Sequence, residues 1–374
     1  MKKFVVLITC LFCFSSTVFA TNAKGSILIE YTTKEILMDE NPYEHLAPAS
    51  MTKIMTLLLV MDKIDEGKIK LTDEVTVSEN ASNMGGSQVY LNPGEIMKVD
   101  DLIKSICIAS ANDSAVALAE YVGGTEEKFI KMMNDKVKEL GLSNTNFVNV
   151  HGLDDENHYS CPYDMAMIAS ELLKHEEILE YSSIYEEYLK KNDGSSVWMV
   201  NTNKLIKYYN GLDGLKTGFT KLAGYNLTAT AKRNDMRLIS VVMGEETSEA
   251  RSKDTIELLD YGFNNYKLKT IYNKDTYLGE VKVNNGKKDY VELKLVNDVT
   301  DLNSIELDPK YDYKLKLNEI TAPIYVGDVV GKLHLYKDGK KYKEFDITVS
   351  ESIKKANMWD IYKKNFKYLV SGNI

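Results

Sequence analysis

Pro48-Ala49-Ser50-Met51-Thr52-Lys53-Ile54-Met55-Thr56 opens a dense apolar stretch that continues through Leu57, Leu58, Leu59, Val60 and Met61. A run of this length and density predicts a buried helix. At i and i+3, Ser50 and Lys53 share one face of it, so the lysine nitrogen can reach the serine hydroxyl. A serine hydroxyl alone is a weak nucleophile. A lysine whose pKa is lowered by burial can serve as its base, and a helix N-terminus favours negative charge developing beside it. The four-residue pattern is not unique, because Ser352-Ile353-Lys354-Lys355 repeats it near the other end of the chain. Pattern alone therefore assigns nothing.

Two further motifs follow in order. Ser110-Ala111-Asn112 stands 60 residues after Ser50 and precedes the helical Ala115-Val116-Ala117-Leu118-Ala119. A hydroxyl and a carboxamide in one turn can relay a proton and hold a substrate amide, although Ser78-Glu79-Asn80 and Ser371-Gly372-Asn373 share the triplet. Lys216-Thr217-Gly218, 106 residues beyond Ser110, is the only Lys-Thr-Gly. It offers a carboxylate a cation and a hydroxyl, and the glycine leaves room for substrate at a sheet edge.

A length of 374 residues is enough for more than one domain, and 44% hydrophobic with 27% charged residues describes a folded chain. The formal net charge of −9 repels polyanions, so nucleic acid is not an expected partner. Lys2 and Lys3, the apolar Phe4 to Phe14 and the small-residue exit Val18-Phe19-Ala20 read as a secretory signal peptide, residues 1–20. Its removal takes the net charge to −11 by deleting two lysines and no acids. Of four cysteines, Cys107 and Cys161 remain, too few for a disulfide framework; Cys107, within Ile106-Cys107-Ile108, reads as an apolar core residue. The five histidines form no metal-binding spacing, and neither metal nor cofactor is expected. His151 and His158, in a Gly/Asp/Asn-rich loop, read as structural hydrogen-bonders.

Residues 26–38 alternate as strands around a Thr32-Thr33-Lys34 turn. Helices are expected at 99–109, 113–122, 126–140 and 162–180. Strands Tyr225–Ala231 and Met236–Met243 flank a turn, and a closing helix, Ser252–Tyr261, ends at Gly262. Helices around a mainly antiparallel sheet make an α+β domain over 21–264. Short alternating strands over 265–350, such as Tyr290–Val296 and Lys332–Tyr336, predict a small all-β domain. The last segment, 351–374, reads as an amphipathic helix: Met358, Tyr362, Phe366 and Leu369 recur at helical spacing, Trp359 and Val370 flank them, and lysines give it a basic face. Such a helix is too charged to span a bilayer but can lie on an anionic membrane surface.

The order Ser-x-x-Lys, Ser-x-Asn, Lys-Thr-Gly on an exported chain resembles the penicillin-binding proteins and class A β-lactamases. The wider wording, with Gly86-Ser87-Gln88-Val89-Tyr90-Leu91, His158-Tyr159-Ser160 and Lys216-Thr217-Gly218-Phe219-Thr220-Lys221-Leu222-Ala223-Gly224-Tyr225-Asn226, resembles serine-type D-alanyl-D-alanine carboxypeptidases. The resemblance implies a β-lactamase/transpeptidase-like fold and an acyl-enzyme reaction on peptidoglycan stem peptides ending in D-Ala-D-Ala, with β-lactams as covalent inhibitors. It implies Ser50 as nucleophile, Lys53 as its base, Ser110 as proton relay and Asn112 as holder of the substrate amide. Lys216, Thr217 and Gly218 would stand at the terminal carboxylate, and the N–H groups of Ser50 and Phe219 would form the oxyanion hole. Arg251, one of only three arginines, matches a third carboxylate-binding residue. No Glu-x-x-Leu-Asn lies between the second and third motifs, which counts against a class A-like β-lactamase. An endopeptidase, and a slowly turning over wall-binding or β-lactam-sensing protein, are the other readings. The expected location is the outer face of the cytoplasmic membrane or the cell wall.

Overall fold

The computed structural model of the chain describes residues 21–191 and 193–371; the proposed leader, 1–20, lies outside them. Two compact units form. One takes the chain to Ile27, Met38–Ala229 and Ser240–Glu257, the other Leu28–Leu37, Thr230–Ile239 and the chain from Leu258.

A five-stranded sheet runs in the order Ile36–Glu40, Gly25–Glu30, Met236–Glu245, Gly224–Arg233, Leu212–Thr220. The first strands depart from the expected alternation: all six residues of Gly25–Glu30 are buried. An interior strand covered on both faces selects apolar or small residues throughout, so its sequence loses the period-two signal. The Lys-Thr-Gly strand, Leu212–Thr220, is an edge, which leaves one row of its backbone groups unused by the sheet.

The apolar stretch that follows Pro48 begins as a 3-10 turn, Ala49–Thr52, and continues as the helix Lys53–Asp65. Every side chain from Lys53 to Met61 is buried, because this helix packs against the helices Pro162–Leu172, Asn112–Gly123 and Glu126–Glu139. Helices at Val99–Ala109 and Glu126–Glu139 lie close to their expected bounds. The segment expected as one helix over 162–180 instead ends at Leu172, with a separate turn of helix at Ile178–Ser182. The closing helix runs Ser248–Asn265 and passes through Gly262 instead of ending there. That glycine serves packing: a Cβ on it would fall 2.5 Å from Leu238 Cδ1.

In the second unit, six strands order as Tyr311–Leu317, Gly331–Lys337, Lys340–Val349, Tyr290–Leu295, Glu280–Asn284, Ile320–Thr321. Leu293, Leu295, Leu333, Leu335, Ile347 and Val349 supply its core from alternate positions. The terminal helix starts at Met358, later than the residue 351 expected, because Ile353 and Lys355 pair with Ile324 and Gly286 as isolated bridges. Its start is fixed by Asn357 and Asp360, each side chain accepting the other's backbone N–H at 2.8 and 3.0 Å.

Candidate active site

The 3-10 turn holds Ser50 half-buried above the first turn of the central helix, with Lys53 wholly buried beneath it. Lys53 Nζ lies 3.0 Å from Ser50 Oγ, 2.6 Å from Asn112 Oδ1 and 2.8 Å from the carbonyl oxygen of His151. Burial first, and then the neighbouring Lys216, hold the amine well below its ordinary value, with Asp113 opposing.

Asn112 opens the helix Asn112–Gly123. Its amide orientation is fixed, because Nδ2 donates to the Gly85 carbonyl at 2.6 Å and leaves Oδ1 to accept from Lys53. Its backbone N–H donates to Ser87 O at 2.7 Å. Ser110, buried between two helices, adopts a left-handed conformation with φ 62°, a costly choice for a residue with a Cβ. Among the described residues no hydrogen bond joins its hydroxyl to Ser50 or Lys53.

The edge strand brings Lys216, Thr217 and Gly218 to the same turn. A Cβ on Gly218 would sit 2.6 Å from Pro48 O and 3.1 Å from Ser50 N, so only glycine lets the strand lie against the serine's backbone. Lys216 is buried, its Nζ donating to Thr217 O at 3.1 Å; burial brings it down to about 7, with Cys107 opposing and the Arg251 guanidinium adding to the fall. Thr217 Oγ1 donates to Thr202 Oγ1 at 2.6 Å. Phe219 is exposed and its ring rests on Tyr225, centroids 4.3 Å apart. Arg251 is buried with an unpartnered Nε, and burial lowers its guanidinium against opposing pulls from Glu249 and Tyr225. Two buried basic side chains, with the guanidinium close enough to lower the lysine, form a seat for an anion.

Three contributors escape a reading of motifs. His151 acts through its main-chain carbonyl, which carries no residue signature. Gly152, at φ +90°, lets that loop press on the nucleophile's turn: a Cβ there would lie 1.8 Å from Ala49 O. Asp113, fully buried, accepts the N–H groups of Val89, Leu91 and Ser114 at 3.1, 3.1 and 2.9 Å and so fixes the Gly85–Leu91 rim beside Asn112. Its place next to Asn112 was the one available signal. The two loop histidines are neutral: burial takes His151 down to about 3, with Lys53 and His158 adding, and takes His158 down to about 4 against Asp155 and Asp154. His158 Nδ1 accepts from Val148 N–H at 3.1 Å, which leaves Nε2–H to donate to Thr52 Oγ1 at 2.7 Å. Cys107 is buried and its thiol is pushed up to about 12 by burial, with Lys216 opposing.

A family model described as D-alanyl-D-alanine carboxypeptidase matches residues 14–247, and one described as penicillin-binding protein 5, C-terminal domain, matches residues 266–355. The chain is 46% identical to the D-alanyl-D-alanine carboxypeptidase DacF of Bacillus subtilis over 92% of its own length and 89% of the relative's. It is 36% identical to DacC, a D-alanyl-D-alanine carboxypeptidase of Escherichia coli, over 95% and 94%. Among solved structures it resembles penicillin-binding protein 5 from Haemophilus influenzae, with a TM-score of 0.76, 33% identity and coverage of 90% and 98%. It also resembles the penicillin-binding protein D2 of Listeria monocytogenes in its ampicillin-bound form, with a TM-score of 0.59, 31% identity and coverage of 66% and 99%.

Proposed function

Because this chain belongs to the D-alanyl-D-alanine carboxypeptidase family, we infer that it is a serine D,D-carboxypeptidase in which Ser50 attacks the penultimate D-Ala carbonyl of a peptidoglycan stem peptide. The observation that carries the assignment of roles is the set of three contacts on Lys53 Nζ. The Asn112 Oδ1 and His151 carbonyl oxygens can only accept, so they take the two N–H bonds of a neutral amine. Its lone pair is then left facing the Ser50 hydroxyl, 3.0 Å away. In this arrangement Lys53 is a base without needing to move.

The Ser50 proton passes to Lys53 as Oγ bonds to the carbonyl carbon. The oxyanion is received by the backbone N–H groups of Ser50 and Phe219, a reading supported by the close approach of Gly218, the residue before Phe219, to the Ser50 nitrogen. The amide bond then breaks, and the D-alanine amine leaves with a proton relayed from Lys53 through Ser110. Asn112 holds the substrate amide, and Lys216, Thr217 and Arg251 hold the terminal carboxylate. Water, activated by Lys53 in turn, releases the shortened peptide. A β-lactam follows the same first step and keeps its acyl group on Ser50. D-Alanine release from diacetyl-Lys-D-Ala-D-Ala tests this reading. Nitrocefin hydrolysis without such release would favour a β-lactamase, and lasting penicillin adducts without it a sensor.

We propose further that the chain works outside the cytoplasmic membrane, exported by residues 1–20 and held at the membrane surface by its last helix. In support of export, the Thr21 nitrogen lies 3.1 Å from Glu40 Oε2, so an α-ammonium created by cleavage after Ala20 would meet a carboxylate. In support of surface attachment, Met358, Trp359, Tyr362 and Phe366 are exposed on the terminal helix, with Trp359 the more telling because aromatic rings favour the headgroup zone. Among the described residues no helix is long and apolar enough to cross a membrane. The mature protein should sediment with anionic vesicles at low salt, whereas a form ending at Ser350 should stay in solution; equal sedimentation would refute the anchor.

A further inference from the structure

A two-stranded hairpin in the first unit, Glu186–Lys190 paired antiparallel with Ser196–Val200, has no counterpart among the motifs. Its inner face carries the buried Leu189 and Met199 with the half-buried Val197 and Glu187. Its outer face carries two large rings in direct cross-strand register, Tyr188 opposite Trp198, which are 62% and 57% exposed. Polar groups border them: Lys190 opposite Ser196 beyond the pair, and Glu186, whose Oε2 accepts from Trp198 Nε1 at 3.2 Å.

The hairpin is tied to the catalytic cleft at two points. Trp198 stands four residues before Thr202, at most about 14 Å of chain, and Thr202 Oγ1 accepts the Thr217 hydroxyl. Lys191 follows the first strand, ion-pairs with the buried Glu95 at 3.1 Å and donates to the main-chain oxygen of Tyr90 at the cleft rim. The platform is therefore held at a set position beside the cleft.

We propose that the Tyr188–Trp198 pair is a glycan subsite, which takes the amino-sugar backbone of the polymer whose stem peptide enters the Ser50 cleft; this rests on the carboxypeptidase reading above. A pyranose ring has a flat C–H face that stacks on an aromatic ring and an edge of hydroxyl and amide groups suited to Glu186, Lys190 and Ser196. Two rings bordered by charge fall far short of the roughly 800 Å² per partner that a stable protein interface buries. A polymer needs no more, because the peptide already seated in the cleft raises the effective concentration of the glycan to which it is joined.

Trp198 and Trp359 are the only tryptophans, so Trp359→Phe leaves Trp198 as the sole indole reporter. In that protein millimolar chitotetraose should change the emission saturably, and Tyr188→Ala should weaken the response at least fivefold. Trp198→Ala should slow D-alanine release from intact pentapeptide-bearing sacculi at least fivefold, while release from diacetyl-Lys-D-Ala-D-Ala and labelling by fluorescent penicillin stay at the level of the unaltered protein. Flat emission, or equal rates on sacculi with and without Trp198, would overturn the subsite. Failure of the unaltered protein to cleave the soluble peptide would instead strike the carboxypeptidase reading, and the emission titration reads glycan binding independently of it.

Discussion

Ser50-Met51-Thr52-Lys53 and Ser352-Ile353-Lys354-Lys355 obey the same pattern and end in opposite physical states. The first winds into a helix, which brings Lys53 Nζ to 3.0 Å from Ser50 Oγ, and its lysine is fully buried among acceptors and a second cation. The second is drawn out along neighbouring strands, with Ile353 bridged to Ile324 and Lys355 to Gly286. There Ser352 Oγ accepts the Val326 N–H at 3.1 Å, and Lys354 and Lys355 are exposed to solvent. An extended backbone puts residues i and i+3 on opposite faces, and water keeps an exposed lysine charged. Helical spacing and burial, more than residue identity, separate a nucleophile–base pair from a surface serine and lysine.

Five substitutions put that contrast to the test. Lys53→Ala should slow penicillin acylation by about 10³ to 10⁴, the upper range for loss of a positioned base, with melting temperature recorded to exclude unfolding. Lys355→Ala, in the matching position of the other tetrad, should leave acylation unchanged. Next in size, Gly152→Ala should destabilise the protein by about 3 kcal/mol, since it adds steric overlap at Ala49 O to an unfavourable positive φ. Chemical denaturation measures it, and an unchanged midpoint would show that the nucleophile's turn does not depend on that loop.

A smaller effect is expected from Lys216→Ala on the pH profile. Lys216 helps depress the Lys53 pKa, so its removal should raise that pKa and move the acidic limb of the acylation rate to higher pH. In the unaltered protein, binding of the terminal carboxylate should weaken as pH rises past about 7 and Lys216 loses its charge. A limb that stays in place would mean that Lys53 does not feel Lys216. Smallest is Arg251→Ala, expected to cost peptide turnover roughly tenfold, about 1.4 kcal/mol, and penicillin acylation less. Equal losses would make Arg251 a general carboxylate ligand, and no loss would return it to a structural role.

The α+β class and the helix bounds around Ser50, Ser110 and Asn112 were legible because each rests on local apolar spacing. Positions decided by distant packing were not. Gly262 looked like a helix stop and is a contact with Leu238; Gly25–Glu30 looked like an alternating strand and is buried on both faces. At the site, side chains bearing reactive groups announced themselves through their motifs. The His151 carbonyl and the carboxylate of Asp113, which position backbone, did not, since any residue has a carbonyl and a buried aspartate in a helix reads as one more charge. The Glu186–Val200 hairpin was missed because its aromatic residues face outward and its apolar ones are few.

Only the helical, buried tetrad should form the acyl-enzyme. Saturating the protein with a penicillin, digesting it and mapping the added mass tests this most directly. One adduct is expected, on the peptide that contains Ser50, with none on the peptide that contains Ser352; an adduct at Ser352, or at any residue other than Ser50, would refute the assignment of Ser50 as sole nucleophile.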